Sequence, residues 1–139
     1  MTGSPVTPRL AELTARARLA QANAYAPYSN FRVGAALLCA DGTIVDGCNV
    51  ENASYPAGTC AERVALGTAV AAGHRRFSAI VIVSDATSAT PPCGICRQAL
   101  VEFGLDVEVI AVTPEGAATR WTLDALLPDP FTPSSLPTR

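Results

Sequence analysis

The chain has 139 residues and a formal net charge of −2, with 49% hydrophobic and only 16% charged residues. That length suits one compact domain, the apolar fraction supplies one sizeable core, and so little charge excludes a disordered chain. All ten basic residues are arginine and only Arg75 and Arg76 are adjacent, so no basic stripe follows a phosphate backbone and a small neutral substrate fits better than a nucleic acid.

The start, Met1-Thr2-Gly3-Ser4-Pro5, lacks the charged and apolar regions of an export signal. Apolar runs such as Val107–Val112 are too short to span a bilayer. A cytoplasmic location is expected, where thiols stay reduced. The five cysteines then read as ligands or buried thiols rather than disulfide partners.

Residues 1–7 and 132–139 read as tails, leaving 8–131 as a single domain. From Pro8 to about Ala24 the residues Leu10, Leu13, Ala17 and Ala20 recur at helical spacing. Phe31–Cys39 and Thr43–Val50 are β-rich runs, and the Asp41-Gly42 pair between them predicts a hairpin. Asn52–Gly58 is a loop. Cys60–Ala72 has helical spacing and closes at Gly73; Phe77–Ser84 is a buried strand; Asp85–Pro92 is a polar loop. Cys93–Phe103 predicts a short helix closed by Gly104, Asp106–Val112 a buried strand and Thr119–Leu123 a last strand. Two strand–helix–strand crossovers imply parallel central strands with one antiparallel hairpin partner. The expected fold is α/β, a three-layer α/β/α sandwich around a mixed five-stranded sheet.

Cys93-Gly94-Ile95-Cys96 is a CxxC, and Cys60 lies upstream with Glu62 two positions later. A lone CxxC also suits a redox pair or half of a structural zinc ribbon, but a ribbon needs a fourth ligand. Cys39 and Cys48 have no cysteine partner at that spacing, and the only histidine, His74, sits at a helix end. Cys39 and Cys48 read as buried strand residues. Three thiolates without a fourth protein ligand suit a catalytic zinc site with an open position for water. Cys60 and Cys93 each begin a predicted helix, where unpaired N–H groups stabilise thiolates. Glu62, in the first turn, can move a proton between water and substrate. Three thiolates leave zinc with net negative charge, so a cation should offset it; Arg63 is favoured, with Arg97 second.

The pattern Cys60-Ala61-Glu62 with Pro92-Cys93-Gly94-Ile95-Cys96 resembles the zinc nucleobase-deaminase signature. The segments Ala24–Leu37, Gly47–Pro56, Cys60–Arg63, Pro92–Gln98 and Leu126–Phe131 further resemble the small cytidine deaminases, in order across roughly residues 8–131. The resemblance implies hydrolytic deamination of cytidine and deoxycytidine in pyrimidine salvage, one Zn²⁺ per subunit, and a homotetramer with shared active sites. Under it, Cys60, Cys93 and Cys96 are the ligands, Glu62 the proton shuttle and Arg63 the arginine bonded to the thiolates. Asn49 and Glu51 match the ribose-binding pair, and Phe31 a pocket residue beside base and sugar. Ala53 and Tyr55 match pocket residues contributed across a subunit interface, and Phe131 the aromatic that stacks on the base from another subunit. One departure is Pro130, where a small residue such as Ala is more usual; it stiffens the approach to Phe131. Independently, Asn49 and Glu51 alternate at a strand end, and an amide and a carboxylate on one side suit vicinal hydroxyls. The competing readings are a non-catalytic structural zinc or redox protein and a deaminase of a related aminopyrimidine nucleoside. No nucleic-acid or membrane partner is expected.

Overall fold

The computed structural model describes residues 6–137. Five strands form one sheet in the order β2-β1-β3-β4-β5: β1 (Val33–Cys39), β2 (Ile44–Cys48), β3 (Phe77–Ser84), β4 (Glu108–Val112) and β5 (Ala118–Thr122). The helices are α1 (Leu10–Gln21), α2 (Ala61–Ala71), α3 (Gly94–Val101) and α4 (Leu123–Leu126). Along β1 and β3 successive side chains enter opposite cores, which is why these strands read as unbroken apolar runs. Ala35, Leu37, Ile80, Ile82 and Val109 pack with α2, α3 and Leu123 of α4, whereas Ala36, Leu38, Ala79, Val81 and Ile110 pack with Leu13 and Ala17 of α1. The layering is α/β/α, as expected.

The pairing departs from the expected parallel centre. Of the neighbouring pairs only β3–β4 is parallel, in the register Ala79↔Glu108; β1 is antiparallel to both β2 and β3, and β5 to β4. The reason lies in the crossover through α2. It carries the chain past β1, so β2 and β3 share a direction while β1, turned back by its hairpin, lies between them.

Two glycines set how closely the helices lie on the sheet. A Cβ on Gly34 would fall 2.0 Å from the Ala17 carbonyl oxygen of α1, and one on Gly47 2.5 Å from the Ala65 nitrogen of α2. Gly42, at φ +93°, closes the hairpin, where the Asp41 carboxylate accepts from the Thr43 N–H.

Element ends differ from the sequence reading where side chains replace ladder or helix bonds. A 3₁₀ turn over Thr7–Arg9 precedes α1. The first strand begins at Val33 because the Phe31 backbone bonds to side chains. The four-residue helix α4 was not expected. Val6, placed in the N-terminal tail, is buried in the α1-side core, so that tail does not reach it; residues 1–5 and 138–139 lie outside the described residues. A 3₁₀ turn at Pro133–Ser135 falls within the expected C-terminal tail. Among the described residues no helix is long and apolar enough to cross a membrane.

Candidate active site

Cys60 and Cys93 occupy the N-cap positions of α2 and α3, both with extended backbone and neither spent on a side-chain cap bond. Their carbonyls start the helices, accepting from Arg63 and Val64 in one and from Arg97 in the other. Their sulfurs are therefore free to turn toward each other. Cys96, one turn into α3, is buried and completes the group. The Sγ–Sγ separations are 3.8 Å for Cys60–Cys93 and 3.4 Å for Cys93–Cys96, and all three sulfurs lie within 4.8 Å of one another.

The donor set fits zinc. Tetrahedral ligands at a Zn–S distance of about 2.3 Å stand about 3.8 Å apart, so the sulfurs need little movement to share one ion. The electrostatics agree. The Cys96 hydrogen bond and the Arg63 guanidinium pull the Cys60 thiol down to about 5 against the cost of burial. The Cys96 thiol, bonded to Cys60 and buried, is pushed up. Arg63 reaches Cys60 Sγ with one NH₂ at 3.6 Å, while its Nε is buried without a hydrogen-bond partner. A cation is thus already aimed at the sulfurs. Arg97, the second candidate for that role, is committed elsewhere: its guanidinium donates to the Pro92 and Leu126 carbonyls at 2.8 Å each. It ties α3 to α4 through these bonds.

A cavity of about 330 Å³ opens in front of this cluster, with Phe31, Asn49, Glu51, Cys60, Glu62 and Cys93 among its walls. Glu62 is 5% exposed, and burial, reinforced by the Cys60 charge, raises its carboxyl to about 7. Among the described residues no arginine lines this cavity.

Asn49 and Glu51 are both gripped by the chain opposite. Asn49 Oδ1 accepts from Val33 N–H and its Nδ2 donates to the Phe31 carbonyl, each at 2.9 Å. Glu51 accepts the Tyr28 and Ser29 N–H groups at 3.0 and 3.1 Å and also the Ser29 hydroxyl. The Ser29 hydroxyl, with those N–H groups, holds the Glu51 carboxyl below its usual range. Ser29, Val33, Thr90 and Pro91 also line the cavity. Sequence reasoning gave them no role, although Ser29 and Val33 lie in the Ala24–Leu37 segment; the part played by Ser29 becomes visible only through its bond to Glu51.

Three predicted residues stand apart. Tyr55 is 76% exposed, meets Tyr28 edge-on at 6.1 Å between centroids, and lines a neighbouring cavity of about 380 Å³ that shares Ser29 and Glu51. Ala53 is exposed and lines neither cavity. Phe131 is 59% exposed, its carbonyl held by Gln98 Nε2 at 2.8 Å. Within one chain the structure does not bring these three to the sulfurs.

The family model described as "Cytidine and deoxycytidylate deaminase zinc-binding region" matches residues 8–113. The cytidine deaminase of Sporosarcina psychrophila is 43% identical over 126 residues, covering 90% of this chain and 93% of the relative. That of Mycobacterium tuberculosis is 42% identical over 127 residues, covering 90% and 91%. The crystal structure of cytidine deaminase from Burkholderia pseudomallei superposes with a TM-score of 0.84 at 47% identity, covering 87% of this chain and 98% of that one. Paired cysteine N-caps, a buried glutamate beside them and a matching family model over most of the chain lead to one conclusion: this chain belongs to the cytidine and deoxycytidylate deaminase zinc-binding family.

Proposed function

We propose that the chain is a zinc-dependent cytidine deaminase of pyrimidine salvage, hydrolysing cytidine and deoxycytidine to uridine and deoxyuridine with release of ammonia. The observation that carries this reading is the meeting of three converged thiols, a buried carboxyl and an amide–carboxylate pair on one cavity of nucleoside size. Zinc held by Cys60, Cys93 and Cys96 would supply an open position at which water becomes nucleophilic near neutral pH.

The chain's own residues do the rest. Glu62 accepts a proton from the attacking water as its oxygen bonds to C4 of the cytosine ring and passes it to the ring nitrogen N3. Glu62 then carries the proton of the new C4 hydroxyl to the amino group, which leaves as ammonia as the C4–N bond breaks and the C4 carbonyl forms. Its burial keeps bulk water from competing for those protons. Arg63 offsets the thiolate charge. Phe31 packs beside base and sugar, and Asn49 and Glu51 receive the ribose hydroxyls, with Glu51 accepting. A 5′-phosphate would meet the Glu51 charge and no arginine in the lining, which favours a nucleoside over a nucleotide.

The exposed Tyr55 and Phe131 support a homotetramer in which Ala53, Tyr55 and Phe131 complete a neighbour's site. Base–aromatic stacking is worth ~1–3 kcal/mol per base, which gives the exposed Phe131 ring a partner. Thiols that must stay reduced to hold zinc support a cytoplasmic setting, with residues 8–131 acting as one catalytic domain. The test is product analysis with cytidine, deoxycytidine and cytidine 5′-monophosphate. Uridine and deoxyuridine should form readily and uridine monophosphate poorly; equal turnover of all three contradicts the nucleoside reading, and turnover of none contradicts the activity.

A further inference from the structure

Phe31 and Arg32 precede β1, which starts at Val33, yet every backbone polar group from Phe31 to Val33 has a partner. Phe31 N–H donates to the Ser29 hydroxyl at 3.0 Å, and its carbonyl accepts from Asn49 Nδ2 at 2.9 Å. Val33 N–H donates to Asn49 Oδ1 at 2.9 Å, and its carbonyl accepts from Asn49 N–H at 3.2 Å. Arg32, between them, turns its backbone to the opposite edge. There its N–H donates to Asp85 Oδ2 at 2.8 Å and its carbonyl accepts from Gln21 Nε2 at 3.2 Å. Gln21 Nε2 also donates to Asp85 Oδ1 at 3.3 Å, and the Arg32 guanidinium reaches the same carboxylate at 3.4 Å.

Asp85 therefore closes a grip whose other half is Asn49. It stands just past β3, at the start of the loop that brings Thr90, Pro91 and Cys93 to the lining of the same cavity. That loop is fixed at its root by the Ser84–Thr90 hydroxyl bond at 2.6 Å and by Ala86 N–H donating to Ser84 at 3.1 Å. Asp85 itself does not line the cavity. It couples the Phe31 part of the lining to the root of that loop.

We propose that Asp85, with Gln21, is a positioning residue for substrate recognition: by holding the Arg32 backbone it sets where Phe31 and Val33 stand relative to Thr90–Cys93. The backbone bond is the effective part. The Arg32–Asp85 ion pair is long and its side chains are 51% and 34% exposed, so solvent screens it. Without Asp85, Arg32 N–H loses its acceptor, and beyond the start of β1 that edge keeps only the Gln21 bond to the Arg32 carbonyl. The thiol cluster and Glu62 keep all their contacts, so the loss falls on binding rather than on the chemical step.

The inference rests on the deaminase reading for its kinetic test, and uridine binding gives a second readout. Steady-state kinetics with cytidine, uridine affinity and zinc per chain are measured for the parent and for Asp85→Ala, Asp85→Asn, Gln21→Ala and Arg32→Ala. Loss of one exposed charge-assisted bond predicts a KM and a uridine Kd raised about five- to tenfold in Asp85→Ala. Its kcat should stay within about twofold and its zinc content unchanged. Asp85→Asn, which keeps one acceptor oxygen, should recover part of the affinity. Gln21→Ala should move in the same direction by less, and it tests the grip if Asp85→Ala does not fold. Arg32→Ala, which keeps the N–H, should bind close to the parent. Unchanged KM and uridine affinity in Asp85→Ala and Gln21→Ala overturn the proposal, as does a loss confined to kcat and zinc. An Arg32→Ala effect as large as that of Asp85→Ala overturns the backbone grip. A parent enzyme that does not deaminate cytidine overturns the deaminase reading instead.

Discussion

Substituting Gly47 by alanine tests how the fold places its catalytic helix. The added methyl would lie 2.5 Å from the Ala65 nitrogen and 2.8 Å from the Ala61 carbonyl oxygen, both backbone atoms of α2. Restoring the 3.4 Å of ordinary contact requires the helix to retreat by about 0.9 Å. Overpacking of this kind costs about 1–3 kcal/mol. For 139 residues the unfolding entropy gives roughly 3 °C of Tm per kcal/mol, so Tm should fall by about 3–10 °C. The retreat also moves Cys60 and Glu62 relative to Cys93, which sits on another helix. A displacement near 1 Å can cost on the order of 10²-fold in turnover. The control lies on the same helix. Gly67 has nothing within 4 Å of its missing Cβ, so Gly67→Ala should gain about 0.5–1 kcal/mol of helix propensity and leave turnover intact. Thermal unfolding and a cytidine assay read both variants. If Gly47→Ala keeps the parent Tm within about 1 °C and full turnover, the close approach of α2 to β2 does not constrain the site.

Glu62→Gln should keep zinc and fold but lose at least about 10²–10⁴-fold in kcat, since the amide cannot accept the water's proton; zinc analysis beside turnover checks it, and near-parent turnover refutes the shuttle. Cys93→Ala and Cys96→Ala should lose both metal and activity, whereas Cys48→Ala should keep both; zinc release from Cys48→Ala would place the ligands elsewhere. Mixing Glu62→Gln chains with Phe131→Ala chains under subunit exchange should raise activity above the sum of the separate samples; additive activity after exchange, confirmed by mass, assigns Phe131 to its own subunit. Glu51 has a depressed carboxyl pKa, so its charged latch on Ser29 is complete above the ordinary value of about 4.3 and is lost only as pH falls below it. In Glu62→Gln, which removes the cavity carboxyl that titrates at about 7, uridine affinity should therefore stay flat from about pH 8 to 5, and a loss of affinity near pH 6 in that variant would show that another group controls the wall.

The elements that could be read from the sequence are those whose burial is symmetric and local. Phe77–Ser84 is apolar throughout because both faces are covered, and its predicted bounds match the strand. The Cys60 and Cys93 helices were legible from their closing glycines, and their N-caps explain why the two motifs converge. Strand pairing was not legible, because nothing local records that the α2 crossover passes over β1. The four residues of α4 give too short a pattern for helical periodicity to register. Arg63 and Arg97 look alike in sequence, one three positions after Cys60 and the other next to Cys96; the Pro92 and Leu126 carbonyls that hold Arg97 separate their roles. Asp85 was hidden for the same reason, since its partner Arg32 lies 53 residues away and is met through a backbone N–H.

The most direct test of the zinc deaminase reading is a metal titration of the stripped protein. A chelator removes the metal, zinc is returned in steps, and loss of cytidine absorbance is followed with ammonia release and bound zinc in the same samples. Activity should be absent in the stripped protein and rise in proportion to bound zinc, with a break at one ion per chain. Turnover that persists after metal removal, or zinc that binds at one per chain without restoring turnover, contradicts the account.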